Sequence, residues 1–186
     1  MYNLLVRYRY WDQDEDIFFI EFTKDTFKTK IKFDFTPDES FLGLAIGCNY
    51  HYNGNPIGYI KDNGLVMQQI KGKDTGIFII ENTVVQAGPI LVENSKARID
   101  YRAQGFSASQ IISGLQIHIG EKKSGNILVG MTKQSTYRQI VDKYLDHNVD
   151  YALKLPGLKQ GSFYYKSQHK EISEGLFPIP CALIIY

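Results

Sequence analysis

The 186-residue chain is poor in cysteine, tryptophan and proline, with two, one and six of each, and its charges nearly cancel. Each scarcity excludes something. Cys48 and Cys181 stand too far apart in sequence for a CxxC unit or any thiolate metal cage, and two cysteines build no disulfide framework. They read as two packed free thiols. A formal net charge of +1 implies no basic face, so nucleic acid polymers are not the expected partner. No apolar run approaches the ~20 residues of a spanning helix, so no membrane partner is expected either. Charge arrives at once after Met1-Tyr2-Asn3-Leu4-Leu5-Val6, with Arg7, and leaves no room for a signal-peptide core. The expectation is a cytoplasmic protein, in the host cytosol if the source is viral. Walker A loops, GxGxxG after a strand and GxSxG elbows are all missing, so the ordinary routes to nucleotide hydrolysis and acyl transfer have no support. No metal-ligand spacing is visible and no cofactor is expected.

What the chain does have is aromatic residues and strand periodicity. Leu4, Val6, Tyr8 and Tyr10 alternate with polar residues, as do Phe18, Ile20 and Phe22, and Ile31, Phe33 and Phe35. With polar connections between them, residues 1–36 predict an N-terminal antiparallel β-meander with one wet face. Thr36-Pro37-Asp38-Glu39 is a helix-start signal and predicts a short helix reaching Leu44. Further strands are expected at 57–61, 65–70, 76–80, 90–93, 115–119, 126–131, 149–155 and 182–186. Asp62-Asn63-Gly64 and Lys123-Ser124-Gly125 supply hairpin turns. One helix is clear: Ser135 or Thr136 caps it, and Tyr137, Ile140, Val141, Tyr144 and Leu145 follow the helical period. Residues 107–114 offer a second, short one. The fold class is α/β in the broad sense, β-rich α+β, with a mixed sheet, one main helix and the N-terminal meander, in a single domain spanning residues 1–186.

Four segments carry a family likeness. Ala45-Ile46-Gly47-Cys48-Asn49-Tyr50-His51, with Asn53-Gly54-Asn55-Pro56-Ile57-Gly58, is similar to a loop of the form A-I-N-G-G-Y-F…N-G-x-P-x-G. Gln86-Ala87-Gly88-Pro89-Ile90-Leu91-Val92 matches Q-A-G-P-x-L-V. Gln116-Ile117-His118-Ile119-Gly120 sits where R-T-A-I-G is found, and Ala152-Leu153-Lys154-Leu155-Pro156-Gly157 where A-L-N-L-D-G-G-G-S is found. Pro178-Ile179-Pro180-Cys181-Ala182-Leu183 is similar to R-P-V-P-N-A-L. In this order, across residues 41–186, the chain resembles the phosphodiester glycosidase domain family. The resemblance implies that family's fold and a cleft for a sugar or nucleotide phosphodiester.

The departures from the family pattern set the functional expectation. Its signature Asn is Gly47, its Gly-Gly pair Cys48-Asn49, its first Arg Gln116, its Asp Pro156, and its last Arg Phe177. Cleavage needs a carboxyl group to move a proton or attack the anomeric carbon, and donors to hold the phosphate. Here the carboxylate is replaced, with Lys154 where the family has Asn beside it. Removing a negative charge and adding a positive one favours holding an anion over cleaving it. No catalytic residue is assigned. The ligand contacts expected are Asn49, Tyr50, His51, Asn53, Gln86, Gln116, His118, Thr136, Lys154, Gly157 and Ser162. His118 on an alternating strand is more often a satisfied half-buried histidine, and Thr136 more often a plain helix cap. The expected function is sequestration of a phosphorylated, nucleotide-derived small molecule by a non-catalytic binder. One concrete version is a phage anti-defence protein that removes an immune signalling nucleotide. Two other classes stay open: a divergent hydrolase using Asp150, Glu174, His51 or His118, and a structural assembly protein. The N-terminal aromatics Tyr2, Tyr8, Tyr10 and Trp11 offer a surface for a homo-oligomer in any of the three.

Overall fold

The computed structural model describes residues 17–48, 58–68, 76–108, 115–133, 135–155, 161–175 and 177–186. Among them the chain forms fifteen strands and one helix of ten residues. The strands are β1 (Ile17–Phe22), β2 (Thr29–Phe35), β3 (Gly43–Gly47), β4 (Ile60–Asp62), β5 (Leu65–Gln68), β6 (Gly76–Ile80), β7 (Thr83–Ala87) and β8 (Ile90–Glu93). They continue with β9 (Lys96–Ala97), β10 (Gln116–Lys122), β11 (Ile127–Thr132), the helix α1 (Tyr137–Asp146), β12 (Val149–Leu155), β13 (Phe163–Lys166), β14 (Glu171–Glu174) and β15 (Ile179–Ile185).

Three sheets result. The first runs β1-β11-β10-β12-β8-β9, the second β14-β13-β3-β15-β2, and the third β5-β4-β7-β6. The first two stack face to face. Phe18, Ile20, Ile117, Ile119, Val129 and Leu153 from one meet Leu44, Ile46, Phe163, Tyr165, Leu183 and Ile185 from the other in one core. The third sheet closes the side of this core with Ile60, Phe78, Ile80 and Val85. On its far face the first sheet carries α1, whose Tyr137, Ile140, Val141 and Tyr144 pack on Leu91, Val92, Leu128 and Ala152. The fold is β-rich α+β, as expected.

Two sequence expectations give way here. The strand pairings are all antiparallel, so no mixed sheet forms among the described residues. The N-terminal meander also fails. β1 pairs with β11 in the first sheet, whereas β2 pairs with β15 in the second. The reason is burial. β1 is covered on both faces, Phe18, Ile20 and Phe22 pointing into the core and Ile17 and Phe19 toward α1. A hairpin with β2 would leave one of those faces wet. The connection instead crosses between sheets, and Phe27 packs edge-on against Phe22 within it. The Leu4–Tyr10 strand lies outside the described residues.

The helix expected from Thr36 is also absent. Asp38 Oδ1 accepts from the Ser40 N–H and hydroxyl at 2.9 and 2.6 Å, which makes a local turn rather than a first helical turn. Leu44, Ala45 and Ile46 are then fully buried in a strand with neighbours on both sides, a gain that outweighs local propensity. The turn Asn63-Gly64 has φ of 46° and 85°, the left-handed pair that a two-residue hairpin requires. The short helix expected over 107–114 lies mostly outside the described residues.

Candidate functional site

The strand ends gather at one rim of the two stacked sheets. Gly47 N–H donates to Ser162 O at 2.9 Å, and Cys48 N–H to Cys181 O at 2.8 Å. The Lys133 ammonium, one residue past β11, reaches Glu174 at the end of β14 at 2.7 Å and ties the two sheets together. In the first sheet, Gln116 stands opposite Thr132, and Ile117 opposite Leu155.

On the α1 face of that rim lies a polar row. His118 is flanked by Gly130 on one side and Lys154 on the other, in direct cross-strand register. Opposite residues of an antiparallel pair point to the same face about 5 Å apart, so His118 and Lys154 are side-chain neighbours. Gln116 shares their face two positions along, about 7 Å away. All three are buried, with exposures of 1 % for Gln116, 0 % for His118 and 3 % for Lys154. Sheet interiors under a helix ordinarily hold apolar residues, and a buried polar atom is ordinarily paired. Here Gln116 Oε1 and His118 Nε2 are buried with no hydrogen-bond partner among the described residues.

The rest of the row is well held. Gln116 Nε2 donates to Ser135 O at 3.3 Å, directly before the helix. His118 Nδ1 meets the Tyr144 hydroxyl at 2.9 Å, while that hydroxyl lies 3.4 Å from Leu128 O. The hydroxyl has one proton, and we assign it to the shorter contact. The neutral imidazole then carries its proton on Nε2, the orphaned nitrogen. The imidazole rests on Gly130, where an added Cβ would lie 2.4 Å from the ring atoms Cε1 and Nδ1.

Charge follows burial. Burial, with Lys154 as a second cause, pushes the His118 imidazole down to about 3, so it is neutral at physiological pH. Burial alone brings Lys154 down to about 8, which leaves it mostly protonated at neutral pH. The row therefore presents an ammonium, an N–H donor and a carbonyl acceptor, and no carboxylate from the described residues shares it. For His118 the acid limb of stability has a definite sign. Its folded value near 3 lies below the unfolded 6.5, so between those values the unfolded state binds the extra proton. Stability is complete above pH 6.5 and falls as pH drops toward 3, by on the order of 5 kcal/mol over the whole window. Denaturant unfolding at pH 7 and pH 4.5 checks it: His118→Leu should flatten this loss, and an unchanged slope would remove His118 as its source.

The other expected contacts distribute as follows. Thr136 is the N-cap of α1, its side chain accepting from Gln139 N–H in a complete capping box. The hydroxyl is thereby engaged in capping. Gln86 is buried and staples the chain at Tyr59, its Oε1 accepting from Tyr59 N–H at 2.7 Å and its own N–H donating to Tyr59 O at 2.8 Å. Ser162 is fully buried at the rim. Asn49, Tyr50, His51, Asn53 and Gly157 lie outside the described residues. The structure thus brings Gln116, His118 and Lys154 together, with Ser162 at the same rim. Sequence reading missed Tyr144 and Gly130. The tyrosine falls on the apolar period of the helix, so nothing local marks its hydroxyl as a partner for His118.

Asp150 is on β12 but four positions before Lys154, about 13 Å along the strand, where it accepts from Ser95 Oγ at 2.6 Å. Glu174 is ion-paired to Lys133 on the second sheet's side of the rim. Among the described residues no cluster of His, Cys, Asp or Glu has the makings of a metal site. No helix among them is long and apolar enough to cross a membrane.

No family model matches the chain, and no curated protein matches it by sequence. Solved structures do match. One is the catalytic domain of the zebrafish N-acetylglucosamine-1-phosphodiester alpha-N-acetylglucosaminidase, auto-inhibited by its pro-peptide. It shares 12 % identity at a TM-score of 0.55, over 77 % of this chain and 62 % of that one. Another is a hypothetical protein from Synechocystis, at 9 % identity and a TM-score of 0.60, over 91 % of this chain and 58 % of that one. The chain spans less than two thirds of either structure, and at such identities the likeness is one of fold. What stands of the resemblance is a distant likeness of fold to the zebrafish catalytic domain.

Proposed function

We propose that the protein binds a phosphorylated, nucleotide-derived small molecule at the Gln116–His118–Lys154 rim and holds it without cleaving it. The observation that carries this reading is the buried cation beside two orphaned polar atoms of opposite character. Leaving such groups unpaired is costly. A ligand that offers an oxyanion to Lys154 Nζ and His118 Nε2–H, and a hydroxyl or amino donor to Gln116 Oε1, satisfies all three at once. A phosphate next to a ribose or sugar hydroxyl has that chemistry at the required spacing of about 7 Å. Cleavage of a glycosidic phosphodiester by the ordinary route needs two carboxyl groups about 5–9.5 Å apart across the bond. Asp150 is too distant and Glu174 is already paired, which supports holding over turnover.

The test is native mass spectrometry with mononucleotides, cyclic nucleotides, cyclic ADP-ribose isomers and sugar phosphates, followed by release and identification of whatever is bound. The expected result is a one-to-one complex that releases its ligand intact. Absence of any complex across the panel would defeat the reading. A cleaved ligand, its turnover lost in His118→Ala, would make the chain a divergent hydrolase instead.

A further inference from the structure

The chain has only two cysteines, and the fold sets them face to face. Gly47 pairs with Ala182 in the β3–β15 ladder, so the next antiparallel step places Cys48 opposite Cys181, and the Cys48 N–H bond to Cys181 O at 2.8 Å closes that step. Both side chains enter the same core. The two thiols are free and both buried. Directly opposed residues of an antiparallel pair have Cα atoms about 4.5–5.5 Å apart, inside the range a disulfide spans without backbone movement.

Their position adds a consequence. Cys48 is the residue from which the chain runs on into the segment bearing Asn49, Tyr50, His51 and Asn53, and its neighbour Gly47 is bonded to Ser162 at the rim. We propose that Cys48 and Cys181 are a reversible dithiol–disulfide pair that locks β3 to β15 at the rim and thereby modulates ligand binding there; the second half of this statement rests on the rim reading above. With a peroxide as oxidant, one thiol gives a sulfenic acid and a water. The second thiol then displaces the hydroxyl as another water and leaves the S–S bond. A thiol reductant reverses it by exchange. The Cys181 thiol, and burial after it, hold Cys48 well above the usual thiol range. Oxidation is therefore slow compared with an exposed cysteine. Cys48 keeps 3 % exposure and Cys181 none, so the first attack falls on Cys48.

The experiment treats folded protein with hydrogen peroxide and follows intact mass, melting temperature and binding of inorganic phosphate. The expected product is a monomer lighter by about 2 Da, restored by dithiothreitol and absent from Cys48→Ala and from Cys181→Ala. Its melting temperature rises by roughly 10 °C, because the bond closes a loop of more than a hundred residues. Phosphate affinity should differ about fivefold or more between the two forms. Mass gains of about 16 or 32 Da confined to the peptides that carry Cys48 or Cys181, disulfide-linked dimers, or no reaction overturn the pair and leave the rim reading untouched. A disulfide with equal phosphate affinity in both forms overturns the coupling. Phosphate binding to neither form defeats the rim reading while the disulfide stands on its mass.

Discussion

Lys154→Met should make the protein more stable and unable to hold an anion. Methionine keeps the length and apolar stem of the lysine and removes the ammonium that burial disfavours. The Lys154 value falls from 10.5 to about 8, which corresponds to on the order of 3 kcal/mol of charge-burial cost at neutral pH. The direction with pH follows from the protons bound. Below pH 8 both folded and unfolded states carry the charge, and the full cost applies. Between pH 8 and 10.5 the folded state releases its proton first, the unfolded state binds more, and the wild-type protein gains stability. The advantage of the methionine variant is thus greatest below pH 8 and disappears above about pH 10.5. At pH 7 its melting temperature should lie roughly 5–10 °C above wild type. Phosphate-ligand affinity should fall at least about a hundredfold, as expected for losing the charged partner of a buried anion. Stabilisation with binding retained would separate Lys154 from the site. A lower melting temperature would show that the ammonium is better solvated than its burial implies. Gaining stability while losing binding is the pattern of a residue kept for function.

Gly130→Ala should cost stability by a purely steric route. The new methyl would sit 2.4 Å from two atoms of the His118 ring and 2.7 Å from Phe19 Cε1. His118 is fully buried, bonded to Tyr144 and bordered by Lys154, so moving its ring off Gly130 strains that hydrogen bond. Overpacking of this kind costs about 1–3 kcal/mol and displaces neighbouring side chains. Denaturant unfolding reads the loss. The double variant Gly130→Ala, His118→Ala separates the cause: the two changes should be less damaging together than the sum of each alone, since removing the ring vacates the space the methyl needs. Strict additivity would place the strain elsewhere, at Phe19. Gly120 supports Tyr144 in the same way, an added Cβ there lying 2.6 Å from Tyr144 Cε1. The two glycines let the helix and the imidazole lie close on the sheet, and the polar row depends on that closeness.

Much of the local structure was legible. β6, β8 and β12 fall on the expected residues, and α1 begins after the expected cap, Thr136. These segments have strong periodicity or explicit capping chemistry, which act over a few residues. β3, β7, β9, β13 and β14 were missed. β13 is Phe-Tyr-Tyr-Lys, buried over its first three residues but too short to show a period, and β14 is half polar with alternating partial exposure. The failed meander and the absent helix after Thr36 share one cause, burial against partners that lie far along the chain.

Residue types alone determined that this chain is β-rich with an amphipathic helix at Tyr137–Asp146 and nearly balanced charge, because composition and short-range period carry that information. They also marked Gln116 and Lys154 as departures from the pattern that the chain resembles, and His118 as a candidate contact beside the first of them. Only the tertiary structure decided that these three share one face of one sheet under α1, that a tyrosine hydroxyl orients the imidazole, and that Cys48 meets Cys181. Cross-strand register between segments tens to more than a hundred residues apart sets each of these contacts. Register is chosen by which side chains fill the core together, and nothing within a single segment encodes that choice.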